Sequence, residues 1–316
     1  MTTIYFDTNV YRMATARSEV QALKSLLCAC HAKVVASETN LFETYAISSY
    51  EVRQRETRTL VALVNRFPEK PTSWLQADEV RRQIQAHRPD WLKRSMLQGK
   101  IKTYLRNHKQ NWQLALQGRL PLPHEYDAYK QDSESGTARA KEAQKGFRKA
   151  RLDEIHSSHL ALRGPSGEQL IAADVSDPEV FWRLDNFTAW DGALLRKLPS
   201  SRDYYDWLAP AVRIESISAF EFANFWLSDV SASAVPRNRL SGLITFHQLD
   251  YKITHGNNAD SFHASHALDV DHFFTGDEAF CSCLQKALST FPRRAAVHFI
   301  ERGAESLCEQ VRVVLR

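Results

Sequence analysis

The chain has 316 residues, 43% of them hydrophobic and 25% charged, with a net charge of +4. These are the proportions of a soluble globular protein of one large or two ordinary domains. No apolar run approaches the roughly 18–20 residues that a bilayer-spanning helix needs. The opening Met1–Asp7 has neither the basic nor the long apolar region of a secretory leader. Five cysteines are too few, and odd in number, for a disulfide framework, so a reduced, cytoplasmic setting without a membrane is expected.

Taken in chain order, Thr3–Phe6 reads as a short apolar strand. A helix is expected over 17–31, where Val20, Leu23, Leu26 and Leu27 fall at helical spacing. Lys33–Ala36 reads as a second buried strand. Ser37 is placed to cap a helix carrying Leu41, Phe42, Tyr45 and Ala46, which either runs on or breaks and restarts before Phe67 and ends at Pro68. Residues 72–240 read mostly as helices, over about 74–87, 89–117, 138–163, 177–196 and 216–229, with a loop at 131–137. The α/β rhythm then returns: a helix to Leu268, a strand His272–Thr275, a helix over 278–289, a strand Ala296–Ile300 and a last helix near 303–315. This pattern predicts one α/β domain split between 1–67 and 240–316, with a helical insertion over 68–239.

The charge is unevenly spread. Residues 81–109 carry nine Lys or Arg against Asp90 alone, a local +8, and residues 139–151 carry six against Glu142, a local +5. With a total of +4, the rest of the chain carries −9. Two basic runs on an acidic body are the footprint of polyanion binding, weighed against the plainer reading of solvated helix faces. The candidate nucleic-acid contacts are Arg81, Arg82, Lys93, Arg94, Lys100, Lys102 and Arg106. Trp91, Tyr104 and Trp112 lie among them, as core residues or as surfaces on which bases stack.

Four acids stand where a metal site would use them. Asp7 ends Ile4-Tyr5-Phe6, Glu43 lies six residues after Ser37, Asp260 opens a helical segment, and Asp277 closes His272-Phe273-Phe274-Thr275-Gly276. Asp7 and Asp277 follow short apolar strands, and ligands of parallel α/β sheets bind beyond the carboxyl ends of the strands. Carboxylates sharing a pocket repel one another, and a hard divalent cation relieves that repulsion with oxygen ligands. Asn9 and Thr275 are candidates for orienting the acids. For any single acid, the alternative is an ordinary cap or turn residue.

The segments Ile4-Tyr5-Phe6-Asp7-Thr8-Asn9-Val10, Ser37 to Glu43, Asn258 to Ala267 and Val270 to Phe280, with its Thr275-Gly276-Asp277, together resemble the PIN-domain nucleases. The resemblance covers about 110–130 residues at the two ends and none of the middle. It implies a three-layer α/β/α sandwich around a parallel sheet, with Asp7, Glu43, Asp260 and Asp277 binding Mg²⁺ or Mn²⁺. The implied activity is endonuclease hydrolysis of RNA, with single-stranded DNA open. Small members act as toxins held by an antitoxin, so an inhibitory protein partner and an oligomer are open too. The competing reading is a PIN-like scaffold that binds nucleic acid without cleaving it.

Other chemistries fit less well. A dehalogenase-like phosphatase loop wants a second Asp two residues after Asp7, where this chain has Asn9. Cys28 with Cys30 and Cys281 with Cys283 would point about 200° apart on helices, which suits a shared zinc poorly. His263, three residues after Asp260, is either a phosphate contact or a packed histidine, and His266 is read with it. Gly164-Pro165-Ser166-Gly167 lacks the Lys of a phosphate loop.

Overall fold

A computed structural model describes residues 1–94, 98–119, 138, 141–142, 145, 159–163, 169–174, 176–198, 202–251, 257–292, 294–303 and 306–316. The expected loop at 131–137 and the segment Gly164–Gly167 lie outside the described residues. The strands are β1 (Thr2–Phe6), β2 (Ala32–Val35), β3 (His159–Arg163), β4 (Gln169–Asp174), β5 (His272–Thr275) and β6 (Ala296–Phe299). The first helices are α1 (Thr8–Ala16), α2 (Val20–Ala29), α3 (Glu38–Tyr45), α4 (Tyr50–Leu63), α5 (Thr72–His87) and α6 (Gln98–Leu116). They are followed by α7 (Pro178–Leu194), α8 (Arg202–Leu208), α9 (Ala219–Asn224), α10 (Pro236–Gln248), α11 (Asn257–Ser265), α12 (Glu278–Leu288) and α13 (Leu307–Leu315). Among the described residues, no helix is long and apolar enough to cross a membrane.

The chain divides into two compact units. The first comprises Met1–Pro71, Arg106–Ser135 and His255–Arg316, and the second Thr72–Leu105 and Gly136–Thr254. α6 runs through the boundary.

In the first unit, four strands form one parallel sheet in the order β2-β1-β5-β6. Ile4, Tyr5 and Phe6 are fully buried, as a central parallel strand covered on both faces requires. Register pairs Phe6 with Phe274, and the amide of Asp7 continues the ladder to the Phe274 carbonyl at 2.9 Å. The carboxyl ends of β1 and β5 therefore lie side by side, although 268 positions separate Phe6 from Phe274. At the opposite end, the Asp271 carboxylate accepts from the Thr3 amide and hydroxyl, both at 2.8 Å, and fixes the relative start of the two strands. Ile4, Phe6, Val10, Leu23, Leu27, Val34, Leu60, Phe274 and Val311 belong to one hydrophobic cluster. The outer edge of β2 is covered by Asn65 and Arg66, whose amides donate to the Val34 carbonyl.

The second unit is mainly helical. The buried Glu79 of α5 accepts from the Asn238 amide at 3.2 Å and from its side chain at 2.9 Å, satisfying the start of α10 from another helix. Asn238 also accepts from the Trp190 indole at 3.0 Å, which draws α7 into the same network. Gly242 permits the close packing of α10 on α7, since a Cβ there would meet Trp182 Cβ at 2.7 Å.

Three elements differ from the sequence reading. α1 was not expected; Thr8, Val10 and Thr15 are weak helix formers, and the Asp7 cap and burial against β1 supply what propensity does not. After Ser37 the chain takes the second of the two courses left open, a break into α3 and α4, with Ser49 capping α4. The helix expected over 138–163 does not reach its end, because His159–Arg163 is β3, antiparallel to β4. The run over 89–117 breaks into a short 3-10 turn at Pro89–Trp91 and α6.

Candidate functional site

Asp7 sits where β1 becomes α1, and its backbone is extended, so the carboxylate can cap the helix it precedes. Its Oδ1 accepts from the Thr8 amide at 2.5 Å. Its Oδ2 accepts from the Asn9 side chain at 2.6 Å and the Thr275 hydroxyl at 2.8 Å. The Asp277 amide donates to the same Thr275 oxygen at 3.1 Å, and the Gly276 amide donates to Asn9 Oδ1 at 2.6 Å. Thr-Gly-Asp thus turns tightly over the end of β5 and is stitched to the end of β1. A Cβ on Gly276 would fall 2.6 Å from Met13 Cε and 3.1 Å from Asn9 Oδ1, so a side chain there would have to displace both.

Glu43 is brought in by α3. Ser37 and Asn40 form a capping box at the start of that helix. The Asn40 side chain then donates to the Phe6 carbonyl at 3.2 Å and to the Thr8 hydroxyl at 3.1 Å, which ties α3 to the end of β1. Glu43 Oε2 lies 2.9 Å from His263 Nε2.

His263 is the centre of the site. It is 1% exposed, and besides Glu43 its Nε2 lies 3.6 Å from Asp7 Oδ1. Its Nδ1 is 2.6 Å from the buried Tyr5 hydroxyl, which is 2.6 Å from Ser37 Oγ. Tyr5 is held by stacking on His266 and Phe273, with centroids at 4.9 and 5.0 Å. One oxygen of Asp7, one of Glu43 and a ring nitrogen of His263 lie within 4.8 Å of one another. Among the described residues, this is the one His, Cys, Asp and Glu group so arranged.

The electrostatics follow from burial. Desolvation raises the pKa of Asp7, and the Glu43 charge adds to it, against the opposing effects of His263 and the hydrogen bonds to Thr275 and Thr8. Burial also pushes Glu43 upward, but the charge and hydrogen bond of His263, the Thr8 bond and Arg12 overcome it, and its net pKa is lowered. Burial alone would lower the pKa of His263; Glu43 and Asp7 outweigh it and raise the net value. The two carboxylates thus favour the charged form of His263, and His263 in turn favours the charged forms of both.

Comparison with protein-family models, with curated proteins and with solved structures finds no match for this chain. Its chemistry therefore rests on this geometry and on the sequence pattern.

The other two acids take different places. Asp260 is buried in α11, one turn before His263. Asp277 caps α12, accepting from the Phe280 amide at 2.9 Å. Neither belongs to the Asp7, Glu43 and His263 group. The donor set is thus two oxygens and a nitrogen, where an all-carboxylate set was expected. Sequence reading weighed His263 as a phosphate contact or packed residue, and it missed Tyr5 and Ser37 as its support. The one available signal was a tyrosine within an otherwise apolar strand.

Several cations proposed as nucleic-acid contacts have internal partners. Arg81 and Arg82 bind Asp78 at 2.8 and 3.3 Å, and the Lys93 ammonium donates to the Ala209 carbonyl at 2.9 Å. Arg94, Lys100, Lys102 and Arg106 are exposed. The aromatics among them are packed: Trp91 is buried against Phe222 and Phe225, Trp112 against Phe67, and Tyr104 meets Trp207 edge-on. All five cysteines are free thiols.

Proposed function

We propose that the first unit is a PIN-like endonuclease that hydrolyses RNA phosphodiester bonds with a divalent cation. The observation that supports this most directly is the convergence of Asp7, Glu43 and His263 within 4.8 Å. They meet beyond the carboxyl end of β1, where the sheet order reverses between β2 and β5, the usual ligand position in such sheets. The donor set fits a divalent ion. Its imidazole nitrogen moves the preference from Mg²⁺ towards a first-row ion such as Mn²⁺. When bound, the ion would supply an activated water and offset charge developing on the phosphate.

The chain's own residues have separate tasks. Thr275, Asn9 and the Thr8 amide orient Asp7. Tyr5 holds Nδ1 of His263, so that Nε2 faces the two carboxylates. Asp260 and Asp277 are assigned to positioning water or the phosphate group, Asp260 from the turn before His263 and Asp277 from the end of β5.

A second reading has an observation of its own. The His263 bridge between Asp7 and Glu43 offsets part of the cluster's charge internally, as a structural ion pair in a non-catalytic scaffold would. Incubation of the protein with labelled RNA and DNA in Mn²⁺, Mg²⁺ or chelator separates the two readings. The nuclease reading expects cleavage that depends on the ion and is lost in Asp7→Asn. Cleavage that persists in chelator, or in Asp7→Asn, ends it. An absence of both cleavage and calorimetric Mn²⁺ binding favours the scaffold.

A further inference from the structure

The cations of the first basic run do not share one fate. Arg81, Arg82 and Lys93 have the internal partners given above, and Arg88 is paired with Asp229 at 2.6 Å. The cations of α6 are different. Lys100, Lys102, Arg106 and Lys109 are all exposed, and none is held in an ion pair among the described residues. No acidic residue occurs anywhere between Asp90 and Glu125, so the helix has no carboxylate of its own to offset them.

Their placement on the helix is regular. A separate face is packed: Ile101, His108, Trp112 and Ala115 are buried, and Trp112 meets Phe67 at a tilt with centroids 4.0 Å apart. At about 100° per residue, Lys102, Arg106 and Lys109 fall in one stripe roughly 60° wide on the exposed face, with Gln113 continuing it. The helical rise spaces the three cations by about 6 and 4.5 Å along the axis, roughly the advance of one to two nucleotides in a stacked strand. Thr103, Asn107 and Gln110 fill the neighbouring exposed positions.

We propose that this face of α6 holds a single strand of RNA by its phosphates. The side chains on it are those that contact phosphate oxygens: Lys, Arg, Asn, Gln and Thr. A protein partner would need an apolar or aromatic anchor at the centre of the contact, and the stripe from Lys102 to Gln113 has none. No aromatic ring on this face is exposed for stacking, since Trp112 is buried on the packed face. Binding is therefore sequence-independent and carried by counterion release. The proposal rests on the nuclease reading only for the choice of RNA as the polyanion.

The test uses the full chain carrying Asp7→Asn, in chelator, so that neither cleavage nor metal enters. Fluorescence anisotropy with a labelled unstructured RNA is followed over a range of salt, for this chain and for the same chain with Lys102→Gln, Arg106→Gln and Lys109→Gln. Three lost phosphate contacts flatten the slope of log affinity against log salt by about 2 and weaken binding about a hundredfold at 0.1 M salt. The same background with Arg81→Gln and Arg82→Gln keeps both slope and affinity. Thermal melting confirms that each variant is folded.

An unchanged slope in the α6 triple variant overturns the proposal, as does an equal loss in the Arg81 and Arg82 variant. Absence of RNA binding by the starting protein overturns it too. Tighter binding of polyglutamate than of RNA at matched charge, lost in the triple variant, reassigns the face to an acidic protein. Cleavage by the otherwise wild-type chain is measured separately. Ion-dependent cleavage alongside an unchanged triple-variant slope removes the α6 proposal and leaves the metal site, and the converse removes the metal site alone.

Discussion

Nε2 of His263 lies 2.9 Å from Oε2 of Glu43, across 220 positions of sequence, with Asp7 Oδ1 at 3.6 Å on the same nitrogen. Two carboxylates and a buried imidazole in this arrangement make stability depend on pH in a set direction. The folded pKa of His263 lies above its ordinary value, so its contribution is fully present below about pH 6.5 and is lost as pH rises through the folded value. Glu43 has a lowered folded pKa, so its contribution is present above its ordinary value and is lost as the solution becomes more acid. In chelator, the melting temperature is expected to fall as pH rises above about 6.5, and Glu43→Gln should reduce that fall. A melting temperature flat over this range in the wild-type chain would show that no imidazolium bridges the pair.

The same arrangement couples ion binding to protons. A histidine must be neutral to ligate, so an ion that takes His263 Nε2 displaces its proton. Calorimetry of Mn²⁺ binding at pH 6 in two buffers of different ionisation enthalpy is expected to show release of about one proton per ion, with affinity rising as pH increases towards 8. His263→Gln, which offers an oxygen and no titrating group, should abolish the release. Mn²⁺ binding without proton release would place His263 outside the coordination.

The sequence carried the parts of this site that depend on strand ends. Asp7 after an apolar strand and Asp277 after Thr275-Gly276 could be read as neighbours, because parallel strands present their carboxyl ends together, and the register of Phe6 with Phe274 aligns them. Ser37 could be read as a cap because capping uses a local spacing. His263 was not legible as the centre. Its role depends on α11 lying beside Tyr5 and Glu43, contacts 258 and 220 positions away in sequence, and on a hydroxyl inside a strand whose pattern reads as purely apolar. The β3–β4 hairpin was hidden for another reason: the preceding basic run has helical composition, and nothing before His159 marks where that composition ceases to decide the structure.

Tyr11 presents a stability prediction free of the metal question. It is 2% exposed, its hydroxyl has no hydrogen-bond partner among the described residues, and burial followed by the Asp7 charge holds its pKa above the ordinary value. A buried hydroxyl without a partner costs about 1–3 kcal/mol in desolvation. Tyr11→Phe keeps the ring that meets Phe6 edge-on at 5.8 Å and removes that cost. Urea unfolding should move to a higher midpoint with no change in slope, corresponding to a gain of about 1 kcal/mol in stability. A destabilised variant would mean that the hydroxyl is satisfied by bound water.

Gly276 tests whether the turn over β5 positions Asp7. Its added Cβ would meet the flexible end of Met13 at 2.6 Å and Asn9 Oδ1 at 3.1 Å. Met13 can move, whereas Asn9 is fixed by accepting from the Gly276 amide and donating to Asp7 Oδ2, both at 2.6 Å. Gly276→Ala should therefore cost about 1–3 kcal/mol by overpacking. It should also lower ion-dependent cleavage by loosening Asn9 from Asp7. Met13→Ala in the same chain relieves the first contact and leaves the second. Stability should partly recover while cleavage stays low, since the misplaced Asn9 remains. Recovery of both together would show that the crowded methionine, and not the link from Asn9 to Asp7, is what the glycine protects.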